Sequence, residues 1–431
     1  MTITRSGGRR AATALALLAL YPQSASAAGF ALFEQGAKGM GFAGAFTAQA
    51  NDPSAIFHNP AGLAFQKGKQ LYLGATAVNP RSDFTGSDPF PGTAITEKGD
   101  AGVLLPPNAY YTQRLGEGLA VGLGLHVPYG LKSAWKDPDT YSGRYISTLA
   151  ELKGFSLNPT VAFKLRDRLA VGAGVDVRFS KVLLERRVPV VNPFTVQVVD
   201  GALVHLESDY ATGVGFNVGV LAKPSEAISV GASYRHKVRV DYSGTADFTP
   251  RPTGNSQLDT RVTALLPSGQ QPIETSIEFP GFFSVGVAWS RHDWTVEGDF
   301  NWYQWNTFDR LPLTFTGRPD LSQTIVENYE NSYQYRLGVE RVLNDRYAVR
   351  AGYFFDQSPA PSSSISPLLP DADRNGFALG GTYRAGNWRV DAGTWFILSD
   401  KRSTEGTNRD DYNGTYESKA FTLGLSLGYT F

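Results

Sequence analysis

A binding pocket for an amphiphilic molecule is predicted on one stretch of the chain, where two apolar residues and an arginine share a face. Residues 169–186 alternate with period two, so that Val182, Leu184 and Arg186 point in the same direction. Apolar side chains gain about 0.8 kcal/mol for each CH₂ group that is buried, and a guanidinium pairs with a carboxylate through two hydrogen bonds. The alternative is that Arg186 is an ordinary solvated residue, since charged residues stand on both sides of it.

Other kinds of chemistry have little support in the residue types. The chain has no cysteine, and its five histidines are scattered without the spacing of metal ligands, so we predict neither a metal site nor a cofactor. Gly39 to Gly44 matches the dinucleotide fingerprint GxGxxG, but no strand precedes it and no βαβ unit follows. Small residues that allow close packing explain this stretch better. No Ser, His and acid trio stands out, and we predict that the protein is not an enzyme.

The elements that would position the binding face are β-strands. From residue 69 onward the chain alternates between apolar and polar residues, and short turns alternate with long polar or Pro-rich loops. This pattern predicts an all-β fold, a 14-stranded antiparallel transmembrane β-barrel with both termini on the periplasmic side. A soluble β-sandwich or β-propeller is the alternative, but no propeller repeat is found. The strands are predicted at 69–80, 107–115, 119–127, 154–166, 169–186, 212–223, 227–243, 274–290, 294–306, 331–343, 346–356, 375–384, 387–398 and 419–431.

Composition and charge agree with an exported membrane barrel. Charged residues make up 19% and aromatic residues 12% of the chain, and no apolar run of membrane-spanning length occurs outside the N-terminus. Residues 1–27 have three arginines, an apolar run and a small-residue cleavage site, and are predicted to be a signal peptide. Without them, 37 basic residues face 40 acidic ones, which offers no attraction to nucleic acid. Tryptophans near strand ends suit interfacial girdles, namely Trp289, Trp294, Trp302, Trp305, Trp388 and Trp395.

Residues 28–66, between the signal peptide and the first strand, are too irregular for a strand and too rich in Gly and Ala for a helix. If the remaining residues 67–431 form a barrel, such a segment has one obvious place, inside the lumen. A second irregularity follows the third strand, where Pro128 cannot donate a hydrogen bond to a sheet and Gly130 weakens one. These two residues predict a break in wall pairing, and the start of an extracellular loop is the alternative.

The N-terminal segment resembles one known family, the outer-membrane long-chain fatty acid transporters of the FadL/TodX type. The resemblance is also carried by a stretch of the fifth strand and by two patches near residue 360, and together these parts span most of the chain. The matching parts are 28–30, Glu34, 39–44, 51–63, 170–186, 356–359 and 370–374.

The resemblance implies a barrel with residues 28–66 folded inside as a hatch, an internal pocket for a hydrophobic ligand, and a sideways exit beside a kinked third strand. Motion of the N-terminus would open the pocket to that exit. Arg310 lies near the position where the family has a second basic contact to the ligand. The register departs from the family pattern there, since Pro312 is an alternative match to that position. The implied positions are Phe30, Val182, Leu184, Arg186 and Arg310 for the ligand, Asn59, Pro60 and Ala61 for the hatch or gate, and Pro128 and Gly130 for the kink.

The sequence therefore predicts passive uptake of long-chain fatty acids or other hydrophobic compounds across the outer membrane of a Gram-negative cell. It leaves open whether the ligand is a fatty acid or an aromatic hydrocarbon. Expected partners are this ligand, outer-membrane lipid and lipopolysaccharide, and the barrel assembly machinery. The alternative functions are a general diffusion porin for small hydrophilic solutes and, with less support, a barrel enzyme or an adhesin.

Overall fold

The wall of the protein is a closed barrel of fourteen antiparallel strands. The computed structural model describes residues 29–404 and 406–431, so the predicted signal peptide lies outside the described residues. Each strand pairs with the next, and the last pairs with the first from Gln70 to Gly86, which closes the barrel. The predicted fold class is confirmed. The wall strands are β1 Lys69–Gly86, β2 Pro107–Arg114, β3 Leu119–His126, β4 Leu149–Arg166, β5 Leu169–Val191, β6 Ala211–Ala222, β7 Ile228–Arg235, β8 Phe282–Arg291, β9 Trp294–Tyr303, β10 Ser332–Val342, β11 Tyr347–Asp356, β12 Arg374–Ala385, β13 Trp388–Ser399 and β14 Gly414–Thr430.

Two of the predicted strands, 227–243 and 274–290, are each divided in two. The second division falls at Pro280, whose ring nitrogen has no hydrogen to donate to a ladder. The pieces beyond these divisions, Val238–Pro250 and Gln271–Phe279, pair with each other and extend the wall outward. The shorter strands among the described residues are Thr96–Lys98, Leu131–Ala134, Val198–Ser208, Val238–Pro250, Gln271–Phe279, Arg310–Phe315, Gln323–Val326 and Arg402–Ser403.

Helical structure is sparse and short. The α-helices are Ala37–Gly41, Ala55–His58 and Ser256–Leu265, and the 3₁₀ turns are Pro60–Phe65, Trp305–Thr307 and Pro319–Leu321. In the part of the chain that the structure describes, no helix is both long enough and apolar enough to cross a membrane.

Alternation along the strands separates an apolar outer face from a polar inner one. On β14, Leu423, Leu425 and Leu427 are exposed on the outside, whereas Thr422 and Ser426 are buried. The predicted inward face of β5 is confirmed in the same way, because the residues with buried side chains there are Asp176, Arg178 and Ser180.

The predicted interfacial role is wrong for two of the tryptophans. Trp305 and Trp395 are buried, while the other four are exposed on the outer face. Trp395 lies seven positions after the outward Trp388, and an odd separation on a strand reverses the side. Trp305 lies in a 3₁₀ turn after β9, where alternation no longer applies.

The N-terminal segment, residues 29–66, is buried over almost its whole length. Its helix Ala37–Gly41 contacts β12, β13 and β14, and its turn Pro60–Phe65 contacts β4, β5 and β6 on another side of the wall. A segment that touches strands on several sides of a closed ring lies inside that ring. The inner face of the wall therefore packs against this segment.

Candidate functional site

The wall is interrupted after β3, and the start of the N-terminal segment lies across the interruption. Pairing of β3 with β4 ends at His126 and resumes only at Leu131. Between these points the amide of Leu32 donates to the Pro128 carbonyl at 2.9 Å, and the amide of Gly130 donates to the Phe30 carbonyl at 3.0 Å. Residues 30–32 thus form the hydrogen bonds that a neighbouring strand would otherwise supply.

Phe30 fixes this end of the segment in a cage of aromatic rings. Its ring centroid lies 4.8 Å from Trp305, 5.1 Å from Phe308, and 6.0 Å from both Tyr129 and Phe279, in edge-to-face arrangements. Such contacts contribute about 0.5–1.5 kcal/mol each beyond the buried area. The cage therefore holds an apolar group firmly, and here that group belongs to the chain itself.

Two cavities meet at Leu32. An inner cavity of about 80 Å³ lies on the lumenal side, and a second cavity of about 240 Å³ lies at the wall beside β4. Both are lined by Leu32 and Gly130, and a Cβ atom on Gly130 would stand only 3.1 Å from a methyl group of Leu32. Their shared lining residues are Leu32, Val78, Leu104, Gly130 and Leu131.

The inner cavity has a charged end. Arg374 lines it and forms two hydrogen-bonded contacts, of 2.7 and 3.0 Å, with Asp356. Asp371 also lines it and accepts hydrogen bonds from the Gly29 amide at 3.0 Å and the Ser358 hydroxyl at 2.7 Å. Burial raises the pKa of the Asp371 carboxyl to about 7. This end of the cavity therefore combines a guanidinium with an acid that titrates near neutral pH.

The wall cavity is apolar by comparison. Most of its lining consists of aliphatic and proline side chains, and Leu105 on its outer side is largely exposed. The two cavities together thus run from a charged inner end, past Leu32, to an apolar opening at the barrel surface.

The middle of the N-terminal segment is held to the wall by carboxyl and guanidinium side chains. Asp299 accepts hydrogen bonds from the Phe46 and Thr47 amides, both at 2.9 Å, and Glu297 on the same strand accepts one from Ala48 at 2.6 Å. In a separate contact, Arg235 donates to the Ile56 and Phe57 carbonyls and is itself paired with Asp176 at 2.7 Å. Each hydrogen bond contributes about 0.5–1.5 kcal/mol, so these contacts together fix this part of the segment.

The residues predicted for the hatch, Asn59, Pro60 and Ala61, lie next to these contacts with the wall. The Asn59 side chain donates to the Thr47 carbonyl at 2.9 Å and the Val220 carbonyl at 3.0 Å, and it accepts from the Ala61 amide at 3.1 Å. Pro60 begins the 3₁₀ turn and lies against Gly172 of β5. A Cβ atom at Gly172 would come within 2.5 Å of Pro60, so the wall glycine is what allows this close approach.

The predicted ligand residues are dispersed. Val182 and Leu184 line a separate, small cavity of about 20 Å³ together with Tyr242 and Leu313. Arg186 lies beyond them, 3.5 Å from Gln323. Arg310 is exposed and pairs with the neighbouring Asp309 at 2.9 Å. Of these predicted residues only Phe30 lies beside the break in the wall.

Sequence reasoning missed Leu32, Leu104 and the aromatic cage, and it included Arg374 only as part of the matching stretch 370–374. Leu32 could have been found from its spacing, because it lies two residues after Phe30 and so faces the same side of an extended chain. The cage could not, since its rings come from distant parts of the sequence.

A family model described as outer membrane protein transport protein (OMPP1/FadL/TodX) matches residues 18–431. The chain belongs to this family. It is an outer-membrane protein of the FadL/TodX type, as its resemblance predicted.

Relatives of similar length support this assignment. The long-chain fatty acid transport protein of Escherichia coli O6:H1 is 25% identical over 96% of this chain and 97% of its own length. Outer membrane protein P1 of Haemophilus influenzae is 27% identical over 97% of this chain and 98% of its own.

Solved structures of this family share the fold. A Pseudomonas aeruginosa FadL homologue superposes with a TM-score of 0.80 at 22% identity, covering 94% of this chain and 100% of the homologue. The Pseudomonas putida toluene transporter TodX superposes with a TM-score of 0.68 at 18% identity, covering 92% and 98%.

Proposed function

We propose that the protein takes up long-chain fatty acids or other hydrophobic compounds passively across the outer membrane and releases them sideways through the wall. The observation that carries this proposal is the pair of cavities that meet at Leu32 on Gly130, one inside the lumen and one at the break beside β4. Displacement of Leu32 would join the two cavities. The joined passage would deliver an apolar molecule into the membrane without crossing water.

The lining of the passage favours an amphiphile with an acidic head. An acyl chain gains about 0.8 kcal/mol for each CH₂ group that the apolar wall cavity buries. A carboxylate would be received at the inner end, where Arg374 lines the cavity. Relatives named as long-chain fatty acid transport proteins support this choice over a neutral hydrocarbon.

Residues 28–66 act in this proposal as a hatch with a fixed part and a moving part. Residues 46–61 are held by Asp299, Glu297, Arg235 and Asn59, as described above. Residues 29–32 are held at the wall by two backbone hydrogen bonds and by the Phe30 cage. A hydrophobic ligand that enters the cage takes the place of the Phe30 ring and makes equivalent contacts. Residues 29–32 are therefore released from the wall at little cost in free energy.

A disulfide across the wall break tests this motion. Ala31 and Tyr129 are partners in an isolated antiparallel bridge, and such partners have Cα atoms about 4.5–5.5 Å apart, within the range of a disulfide. The chain has no native cysteine, so the double variant A31C/Y129C forms only the intended bond. We expect oxidised cells to take up labelled oleate at least tenfold more slowly than the same cells after reduction.

The matched control joins Thr85 to Thr96, which are partners at the outer end of β1 and away from both cavities. Oxidation of T85C/T96C should leave oleate uptake unchanged. Equal uptake by oxidised and reduced A31C/Y129C would contradict the proposal. A large, steady single-channel conductance of the wild-type protein would favour a general diffusion porin instead.

A further inference from the structure

A group of cations stands on the outer face of the barrel at the seam where β1 meets β14. Arg81, Lys98, Lys136 and Lys419 border a shallow surface cavity of about 460 Å³. We propose that this group, here called the cationic seam, binds the phosphorylated head group of lipid A in the outer leaflet. The proposal depends on the outer-membrane location and not on the uptake function.

The register of the strands places the cationic seam at the height of the lipid head groups. Arg81 of β1 is paired with Lys419 of β14, on the face that carries the exposed leucines of β14. Directly below, the rings of Phe421 and Phe396 pack with centroids 5.3 Å apart, and at the other end of the same strands Tyr429 packs on Trp388.

The two aromatic pairs delimit an apolar band of membrane thickness. Phe421 and Tyr429 are eight residues apart, which for a strand tilted by about 40° corresponds to a height of roughly 20 Å, close to the ~25 Å apolar band of such barrels. The outward residues that follow Phe421 toward the extracellular side are Lys419 and Glu417. The cationic seam therefore begins where the hydrocarbon ends.

Cations exceed carboxylates at this seam. Among the residues that the structure describes, two acids, Asp83 and Asp100, line the cavity with the four cations. Just beyond its edge, Glu417 is shared between Lys419 at 2.7 Å and Lys401 at 3.3 Å. Phosphate groups are bound in proteins by such clusters of Lys and Arg.

At the same height on another part of the wall, cations and carboxylates occur in equal numbers. Above the stacked rings of Phe155 and Phe179, Lys153 pairs with Glu151 at 2.8 Å and Lys181 pairs with Glu207 at 2.7 Å. Two cations and two carboxylates are paired there. The excess of positive charge is thus a property of the β1–β14 seam and not of every position at this height.

The backbone also brings the lysines together. Lys98 is the register partner of Asp83 on β1, and its carbonyl accepts the Lys136 amide at 2.9 Å. Lys98 and Lys136 therefore lie side by side, and both are exposed. A phosphate in the cavity can be contacted from both sides, by these two lysines and by the Arg81–Lys419 pair.

Titration of the full-length protein with lipid A in detergent micelles, followed by native mass spectrometry, tests the proposal. The triple variant K98Q/K136Q/K419Q should bind bisphosphorylated lipid A about a hundredfold more weakly, because each lysine near an anionic lipid surface contributes about fivefold. The single variant K98Q should lose about fivefold, and it serves as a second test if the triple variant folds poorly. Heat-dependent mobility on gels checks that each variant is folded.

The control variant K153Q/K181Q should bind lipid A as the wild-type protein does. Lipid A without its phosphates should bind the wild-type protein as weakly as bisphosphorylated lipid A binds the triple variant. Equal binding by the triple variant and the wild-type protein would overturn the proposal. Full competition by millimolar inorganic phosphate would also overturn it, since the site would then recognise a free anion and not a lipid.

Discussion

Leu32 lies directly over Gly130, and both residues line the inner cavity and the wall cavity. We expect Leu32→Ala to speed the uptake of labelled oleate about five- to thirtyfold, because the closed state loses roughly 1–2 kcal/mol of apolar contact. The rate of influx into cells, normalised to the amount of protein in the outer membrane, measures this effect. Leu105→Ala is the control, since Leu105 lines only the wall cavity. Slower uptake by Leu32→Ala than by the control would show that Leu32 does not close the passage.

Arg374 at the charged end of the inner cavity distinguishes acidic from neutral ligands. We expect Arg374→Gln to weaken the retention of oleate about tenfold, since a charged hydrogen bond contributes at least about 1.5 kcal/mol, and to leave the retention of a neutral alkane unchanged. Native mass spectrometry of ligands kept by the purified protein measures both. Arg336 still pairs with Asp356 at 3.2 Å in this variant, which limits damage to the fold. An equal loss of oleate and alkane would indicate a structural role.

Arg186→Gln belongs in the same experiment, because the sequence predicts the head-group contact at Arg186. We expect this variant to lose less oleate than Arg374→Gln, since Arg186 lines neither of the two cavities that meet at Leu32. The reverse order would support the sequence prediction.

Much of the wall could be predicted from the sequence because alternation is a local property. The faces of β5 and β14 follow from the residue types alone, since one face meets lipid and the other meets the N-terminal segment. Alternation fails where a strand ends or bends. Trp305 was misassigned because it lies in a turn, and the strand predicted at 274–290 was not divided at Pro280.

The candidate site was harder to predict because it is assembled from distant parts of the chain. Phe30 meets Phe279 and Trp305, which are about 250 and 275 positions away, and Gly29 meets Asp371 across 342 positions. The Pro128 and Gly130 pair was visible as a local break in strand-forming residues. What covers that break depends on how the N-terminal segment enters the lumen, which no local pattern specifies.

Asp299 is expected to fix the middle of the N-terminal segment through the Phe46 and Thr47 amides. In Asp299→Ala, hydrogen exchange at these two amides should become at least about fivefold faster, because a buried amide that loses its acceptor costs at least about 1 kcal/mol. Exchange followed by mass spectrometry of residues 42–50 measures the change. Asp241→Ala is the control, since Asp241 is exposed and pairs only with Arg239 among the contacts described. Unchanged exchange in Asp299→Ala would show that the wall contact does not hold the segment.

Asp371 makes the start of the N-terminal segment sensitive to pH. Burial raises the pKa of its carboxyl to about 7, so the closed arrangement favours the protonated acid. The protonated carboxyl stabilises the closed arrangement fully below the pKa of a solvated carboxyl, about 3.9, and this stabilisation is lost as the pH rises through 7. The charge of Arg374 opposes the rise in pKa but does not cancel it. We therefore expect the segment to open more as the pH rises from 6 to 8, by at most about tenfold per pH unit below pH 7 and with little further change above it.

A nitroxide label on Ala31→Cys, the only cysteine in that variant, reports this opening as the fraction of mobile label. In the wild-type background the mobile fraction should rise between pH 6 and pH 8. Adding Asp371→Asn removes the titrating group but keeps an oxygen that can accept the Gly29 amide. The mobile fraction should then stay constant across this range. A pH dependence that survives in Asp371→Asn would assign the titration to another group. A mobile fraction that falls with rising pH would contradict the expectation that protonated Asp371 favours the closed segment.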